Sequence, residues 1–137
     1  MLRFKIDITF RLMVSAPIPL RLILYCYQGI EVELHFGPLI IMAVIYPLVE
    51  EILFRGVIQP NIAEKISGSF FNLSLANIIT STIFAIAHLN NHDPLWAAGI
   101  ILPSLAFGFC QDRYRTLQAP IALHCYYNVG YFLIAGI

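Results

Sequence analysis

The chain has 137 residues, 59% of them hydrophobic and only 12% charged, with a mean hydropathy of +0.78. A water-soluble domain is nearer a quarter charged, so the composition excludes one. The balance of eight basic and eight acidic residues excludes a basic nucleic-acid surface. What remains is an integral membrane protein of one domain, all-α, with room for about four to five spanning helices at roughly 20 residues each. Cys26, Cys110 and Cys125 form no C-x-x-C motif and are odd in number, so they point to apolar packing and not to a disulfide framework or thiolate metal cluster.

Arg3, Lys5 and Arg11 lead into an apolar stretch without a small-residue cleavage site, which reads as a first anchor and not as a cleavable signal. Residues 1–11 are expected at the cytoplasmic interface. Residues 12–30 form a weak span, interrupted by Pro17 and Pro19 and carrying Arg21; it either crosses kinked or lies partly in the interface, and crossing is the preferred reading. Glu31, Glu33 and His35 make a polar turn, and Gly37-Pro38 marks a break. Residues 1–37 are thus an N-terminal interfacial segment and first transmembrane helix, and 38–137 a four-helix core.

The second segment runs from Pro38 to about Lys65 and should kink at Pro47, freeing a carbonyl one turn back. A turn at Gly68 and Asn72 leads to the third segment, 73–90, whose small and hydroxyl residues suit close helix contact in a bilayer. The loop Asn90-Asn91-His92-Asp93-Pro94 follows. The fourth segment, 95–111, opens with Trp96 as an interface anchor and is interrupted by Pro103 and Gly108. Residues 112–116 are the next loop, and the fifth segment starts near Pro120. If all five cross, Arg3, Lys5, Arg11, Lys65, Arg113 and Arg115 share one side, and the opposite loops hold no Lys or Arg. The positive-inside rule then puts the N-terminus in the cytoplasm.

Within the second segment lies Glu50-Glu51-Ile52-Leu53-Phe54-Arg55-Gly56. Three ionisable groups at membrane depth are costly and mark a functional site by default. The bland alternative is an ion pair that only holds helices together. Glu51 and Arg55 are four apart and can pair on one face. Glu50, rotated about 100° from Glu51, is expected to point elsewhere in the bundle. Burial disfavours its charge and a nearby guanidinium favours it, a balance that suits a general base. His88 follows Phe84 by one turn, and His124 and Asn128 share a face of the fifth segment. Unpaired polar groups in hydrocarbon cost several kcal/mol each, so these residues should converge.

Two chemistries fit. Glu50 could activate a water toward a peptide carbonyl, with His88 or His124 assisting proton transfer and Asn128 donating to the oxyanion. Alternatively Glu50, His88 and His124 could bind zinc with one position open; the lack of H-E-x-x-H counts against an ordinary zinc protease. A non-catalytic immunity or scaffold protein of the same fold and a small proton-relaying transporter are the competing classes. The compact cluster, with little polar lining elsewhere, disfavours the transporter.

Glu50-Glu51-Ile52-Leu53-Phe54-Arg55 resembles the E-E-x-x-x-R motif of the CAAX-protease and bacteriocin-processing (CPBP, or Abi) intramembrane peptidases. Phe84-Ala85-Ile86-Ala87-His88 is similar to their F-x-x-x-H motif, and His124-Cys125-Tyr126-Tyr127-Asn128 to their H-x-x-x-N/D motif. The order agrees, and the likeness covers roughly residues 38–130. The resemblance implies a glutamate-dependent intramembrane endopeptidase, metal-free, acting on a membrane-associated protein or peptide. Glu50 would be the base and His88 its assistant. His124 and Asn128 would form the oxyanion site, and Glu51, Arg55 and Phe84 would support it. The chain is shorter than many relatives and looks more like a prokaryotic member, placed in the plasma membrane. Such members process C-terminal sorting signals of exported proteins or act in bacteriocin maturation and self-immunity.

One difficulty stands in the sequence. At 1.5 Å per residue His88 lies about 22 Å from residue 73, whereas His124 lies about 6 Å past Pro120. Both segments start on the same side, so the fifth must tilt or begin deeper if the two histidines are to meet.

Overall fold

The computed structural model describes residues 6–28 and 36–135. The acidic turn expected at Glu31, Glu33 and His35 lies outside them. Six helices and a minute hairpin follow one another: α1 (Ile8–Ser15), α2 (Ile18–Gln28), α3 (Phe36–Lys65), β1 (Ser69–Phe70), β2 (Leu73–Ser74), α4 (Leu75–His88), α5 (Pro94–Tyr114) and α6 (Gln118–Ala135). Among the described residues, three stretches are long and apolar enough to cross a membrane: Ile8–Tyr27, which joins α1 and α2, then α3, and α5.

Polarity is arranged inside out. Glu51, Arg55, Gln59, Asn77, Thr80, Ser81, Ser104 and His124 are buried, whereas Ile40, Ile41, Val44, Val49, Ile52 and Leu53 of α3 are exposed. A hydrocarbon surround explains this: lipid solvates the aliphatic exterior, and the polar groups must satisfy one another within. The protein is an all-α membrane bundle.

Local chemistry sets the helix ends. Asp7 caps α1 by accepting from Phe10 N at 3.0 Å. The helix therefore begins at Ile8, earlier than the expected residue 12, and a turn at Ala16-Pro17 separates it from α2. Phe71 and Asn72, both at positive φ, make the two-residue turn of the hairpin, and Gly68 (φ 126) leads into it. Ser74 caps α4 through Asn77 N, and Asp93 caps α5 through Leu95 N and Trp96 N. The loop expected at 112–116 shrinks, because α5 continues to Tyr114 and ends on Arg115 in the left-handed region. Neither Pro103 nor Gly108 stops it.

Gly108 instead permits contact. A Cβ there would run into Asn77 Oδ1 and stand 2.9 Å from Gln59 Oε1. Asn77 donates to Leu105 O, and Gln59 to Gly108 O and Asp112 Oδ1. Ser74 Oγ donates to Asp112 Oδ2 at 2.6 Å. α3, α4 and α5 are thereby bound together at one end. At that same end Arg113 pairs with Asp7 at 2.8 Å and Tyr114 donates to it at 2.6 Å, bringing in the start of α1. The Tyr114 and Arg113 hydrogen bonds, with Phe10 N, hold the Asp7 carboxyl well below the usual carboxylate range.

α3 is not a plain α-helix. π-helical turns occupy Ile41–Ile45 and Phe54–Ile58. Ala43, Pro47, Glu51, Arg55 and Gln59 are all buried, at a strict spacing of four. On an ideal helix that set would drift about 160° from the first to the last. The wider π turns take back this drift and keep the five on one face. Where a kink at Pro47 was expected, the structure has a slackened turn just before it. Tyr46 N bonds to Ile41 O, five residues back, and Pro47 brings no N–H for the next carbonyl, that of Met42.

Candidate active site

Glu51 is sealed from solvent and lies between two cations or potential cations. Its Oε2 is 3.4 Å from Arg55 Nε, and its Oε1 is 2.8 Å from His124 Nδ1. Arg55 is equally buried and donates from Nη2 to Ser104 O and to Ser104 Oγ. Its guanidinium carbon stands 5.0 Å from the ring of Phe84, 5.7 Å from Phe107 and 6.0 Å from Phe54. An aromatic cage of this kind desolvates the charge while its ring faces attract it. The expected Glu51–Arg55 pair is present. Ser104, which completes it, left no signal in the sequence because 49 residues separate the partners.

Glu50 is more open, with 29% of its side chain exposed. Its two oxygens face two imidazoles: Oε1 is 3.9 Å from His88 Nε2, and Oε2 is 3.7 Å from His124 Nε2. These are ion-pair distances, longer than hydrogen bonds. His88 has its Nδ1 2.8 Å from Phe84 O, one turn back. The ring of His124 stacks on Phe107 with centroids 4.4 Å apart. Glu50 therefore does not point to a separate part of the bundle, as its rotation from Glu51 suggested. Both carboxylates reach His124, one at each ring nitrogen.

The depth difficulty is resolved by the start of α6. Leu117, just before it, packs on α3 so closely that a Cβ at Gly56 would lie 3.2 Å from Leu117 Cδ1. α6 thus begins at the depth of Gly56, little more than one turn from Glu51. His124 needs only a short climb to reach a level that His88 attains at the end of α4.

Asn128 is placed differently from the other three. Its Nδ2 donates to Met42 O at 3.0 Å. That carbonyl is the one that Pro47 leaves without a helical donor. The amide of Asn128 thereby locks α6 to the π turn of α3 and retains one further hydrogen. Zinc would need three protein ligands turned to a common point, and among the described residues no three His, Cys, Asp or Glu side chains are so placed.

A buried carboxylate–arginine pair, a half-open glutamate and two histidines meet here in an apolar bundle. The family model of the type II CAAX prenyl endopeptidase Rce1-like proteins matches residues 33–130, which include all of these residues. The chain belongs to this family. It is a CAAX-type peptidase, a membrane-embedded hydrolase of peptide bonds acting on membrane-associated substrates. No curated protein and no solved structure matches the chain.

Proposed function

We propose that the chain cleaves a peptide bond of a membrane-associated protein or peptide with Glu50 as the base that activates water. The observation that carries this reading is the half-open Glu50 carboxylate facing Nε2 of both His88 and His124. Each Nδ1 lies against an acceptor, the Phe84 carbonyl or the Glu51 carboxylate, and so holds a hydrogen there. Proton exchange then falls to the Nε2 atoms, on the side of Glu50.

In the reaction, Glu50 takes a proton from water while the water oxygen bonds to the carbonyl carbon. His124, from a protonated Nε2, and the remaining amide hydrogen of Asn128 donate to the oxyanion. The proton on Glu50 passes, with His88 assisting, to the leaving nitrogen as the C–N bond breaks. A carboxylic acid and an amine result, and no metal is needed. Glu51 keeps the His124 ring oriented, and Arg55 with its phenyl cage keeps Glu51 fixed.

The same proposal places the chain in a prokaryotic plasma membrane with its N-terminus cytoplasmic. The Asp7–Arg113 pair supports that orientation, since it brings the start of α1 to the end of the bundle that carries Arg113 and Arg115. C-terminal processing of exported proteins is the reaction to test first. Membrane proteins that accumulate uncut in a deletion strain supply candidate substrates. Glu50→Gln restored to that strain should leave them uncut; cleavage at the wild-type rate would show that Glu50 is not the base.

A further inference from the structure

Four aromatic rings run outward from the Glu50–His88 edge, and nothing in the proposed reaction uses the last three. His88 and His92 have centroids 6.1 Å apart at an interplanar angle of 21°. His92 stacks on Trp96 at 3.8 Å and 24°. Trp96 lies 6.2 Å from His88 and meets Tyr131 edge to face at 6.1 Å, with Trp96 Nε1 donating to the Tyr131 hydroxyl at 3.3 Å. The rings come from α4, the α4–α5 loop, the first turn of α5, and α6.

The loop is built to hold this arrangement. Asn91 N and His92 N both bond to His88 O, and Asp93 fixes the first turn of α5 through Leu95 N and Trp96 N. His92 is exposed, Tyr131 is 45% exposed and Trp96 is half-buried. Trp96 is therefore not only an interface anchor; it forms part of a wall beside the open edge of the site.

We propose that His92, Trp96 and Tyr131 form a substrate subsite that takes an apolar side chain within two residues of the scissile bond. This rests on Glu50 and His88 being the catalytic edge. An extended chain advances about 3.3–3.6 Å per residue, so a peptide whose carbonyl lies at Glu50 and His88 passes Trp96 one or two residues later. The wall holds no Asp, Glu, Lys or Arg side chain, and it offers ring faces and edges to an aromatic or aliphatic group. The occupant is the substrate polypeptide itself, and the contact sets its sequence preference.

Trp96 is the single tryptophan of the chain, so its emission reports on this wall alone. The Glu50→Gln protein, in detergent micelles, is titrated with a short leucine-rich peptide bearing one bromophenylalanine, a tryptophan quencher. The expected result is saturable quenching, displaced about tenfold better by the same peptide with phenylalanine or leucine at that position than with serine or glutamate. His92→Ala should weaken binding, and His92→Phe should restore it. Quenching that rises linearly with peptide, or that is unchanged by His92→Ala, overturns the subsite. Cleavage of the unbrominated peptides by the wild-type protein is followed separately. Cleavage that persists in Glu50→Gln would sink the catalytic reading and leave the binding result standing.

Discussion

Glu50 and Glu51 are neighbours, and changing either to glutamine removes the same charge, yet the structure predicts different losses. Glu51 and Arg55 are both 0% exposed, and among the described residues Glu51 is the one carboxylate within ion-pair distance of Arg55. Removing one member of a buried pair strands the other, at a cost of about 3–5 kcal/mol. The glutamine oxygen can still accept from His124 Nδ1, which puts the expected loss near the lower figure, about 3 kcal/mol. Glu50 is 29% exposed, and its contacts at 3.7 and 3.9 Å are too long for hydrogen bonds. Neutralising it should change stability by less than about 1 kcal/mol. Unfolding by sodium dodecyl sulfate in mixed micelles, followed through Trp96 emission, measures both; cleavage of a candidate substrate measures activity. Glu50→Gln should be stable and inactive, Glu51→Gln unstable and inactive. Equal stability of the two variants would refute the assignment of Glu51 as the counter-charge of Arg55.

Three further outcomes are expected. Gly108→Ala drives a Cβ into Asn77 and should cost about 2–4 kcal/mol from overpacking and displaced hydrogen bonds. Gly99→Ala, in the same helix with nothing within 4 Å, should be neutral or stabilising by up to about 1 kcal/mol; the same unfolding assay compares them, and similar losses would contradict the packing at Gly108. Because the Asp7 carboxyl is held below its ordinary range, the stabilisation it gives α1 is complete above its unfolded value of about 4 and fades as pH falls below that. The difference in hydrogen-exchange protection of residues 8–15 between wild type and Asp7→Asn should therefore shrink on acidification, and a widening difference would reverse the sign. Finally, prolonged chelation should leave cleavage unchanged; one tightly held zinc per chain, lost in His88→Ala, would require a metal mechanism.

The local parts of the site were legible because helical periodicity is a local property. A spacing of four placed Glu51 and Arg55 on one face, and Pro47 announced a carbonyl without a donor. What took that carbonyl was not legible. Met42 and Asn128 are 86 residues apart, and only the packing of α6 on α3 joins them. The π turns were equally hidden, although Pro47 and Pro60 each follow one closely. Their trace in the sequence is the run of Ala43, Pro47, Glu51, Arg55 and Gln59 at intervals of four, longer than the 3.6 of an α-helix.

By itself the sequence determined that this is a helical membrane protein with costly charges in its second segment, because composition and hydropathy sum over residues without regard to their partners. It also singled out Glu50, His88, His124 and Asn128 as candidate site residues, through three motifs in order. The tertiary structure alone decided that His124 stands between two carboxylates, that α6 starts deep enough for His124 to reach the level of His88, and that Gly108 brings helices together where a break was expected. Depth and rotation of one helix against another are fixed by contacts such as Leu117 on Gly56 and Arg55 on Ser104. Those contacts join residues that no local pattern connects.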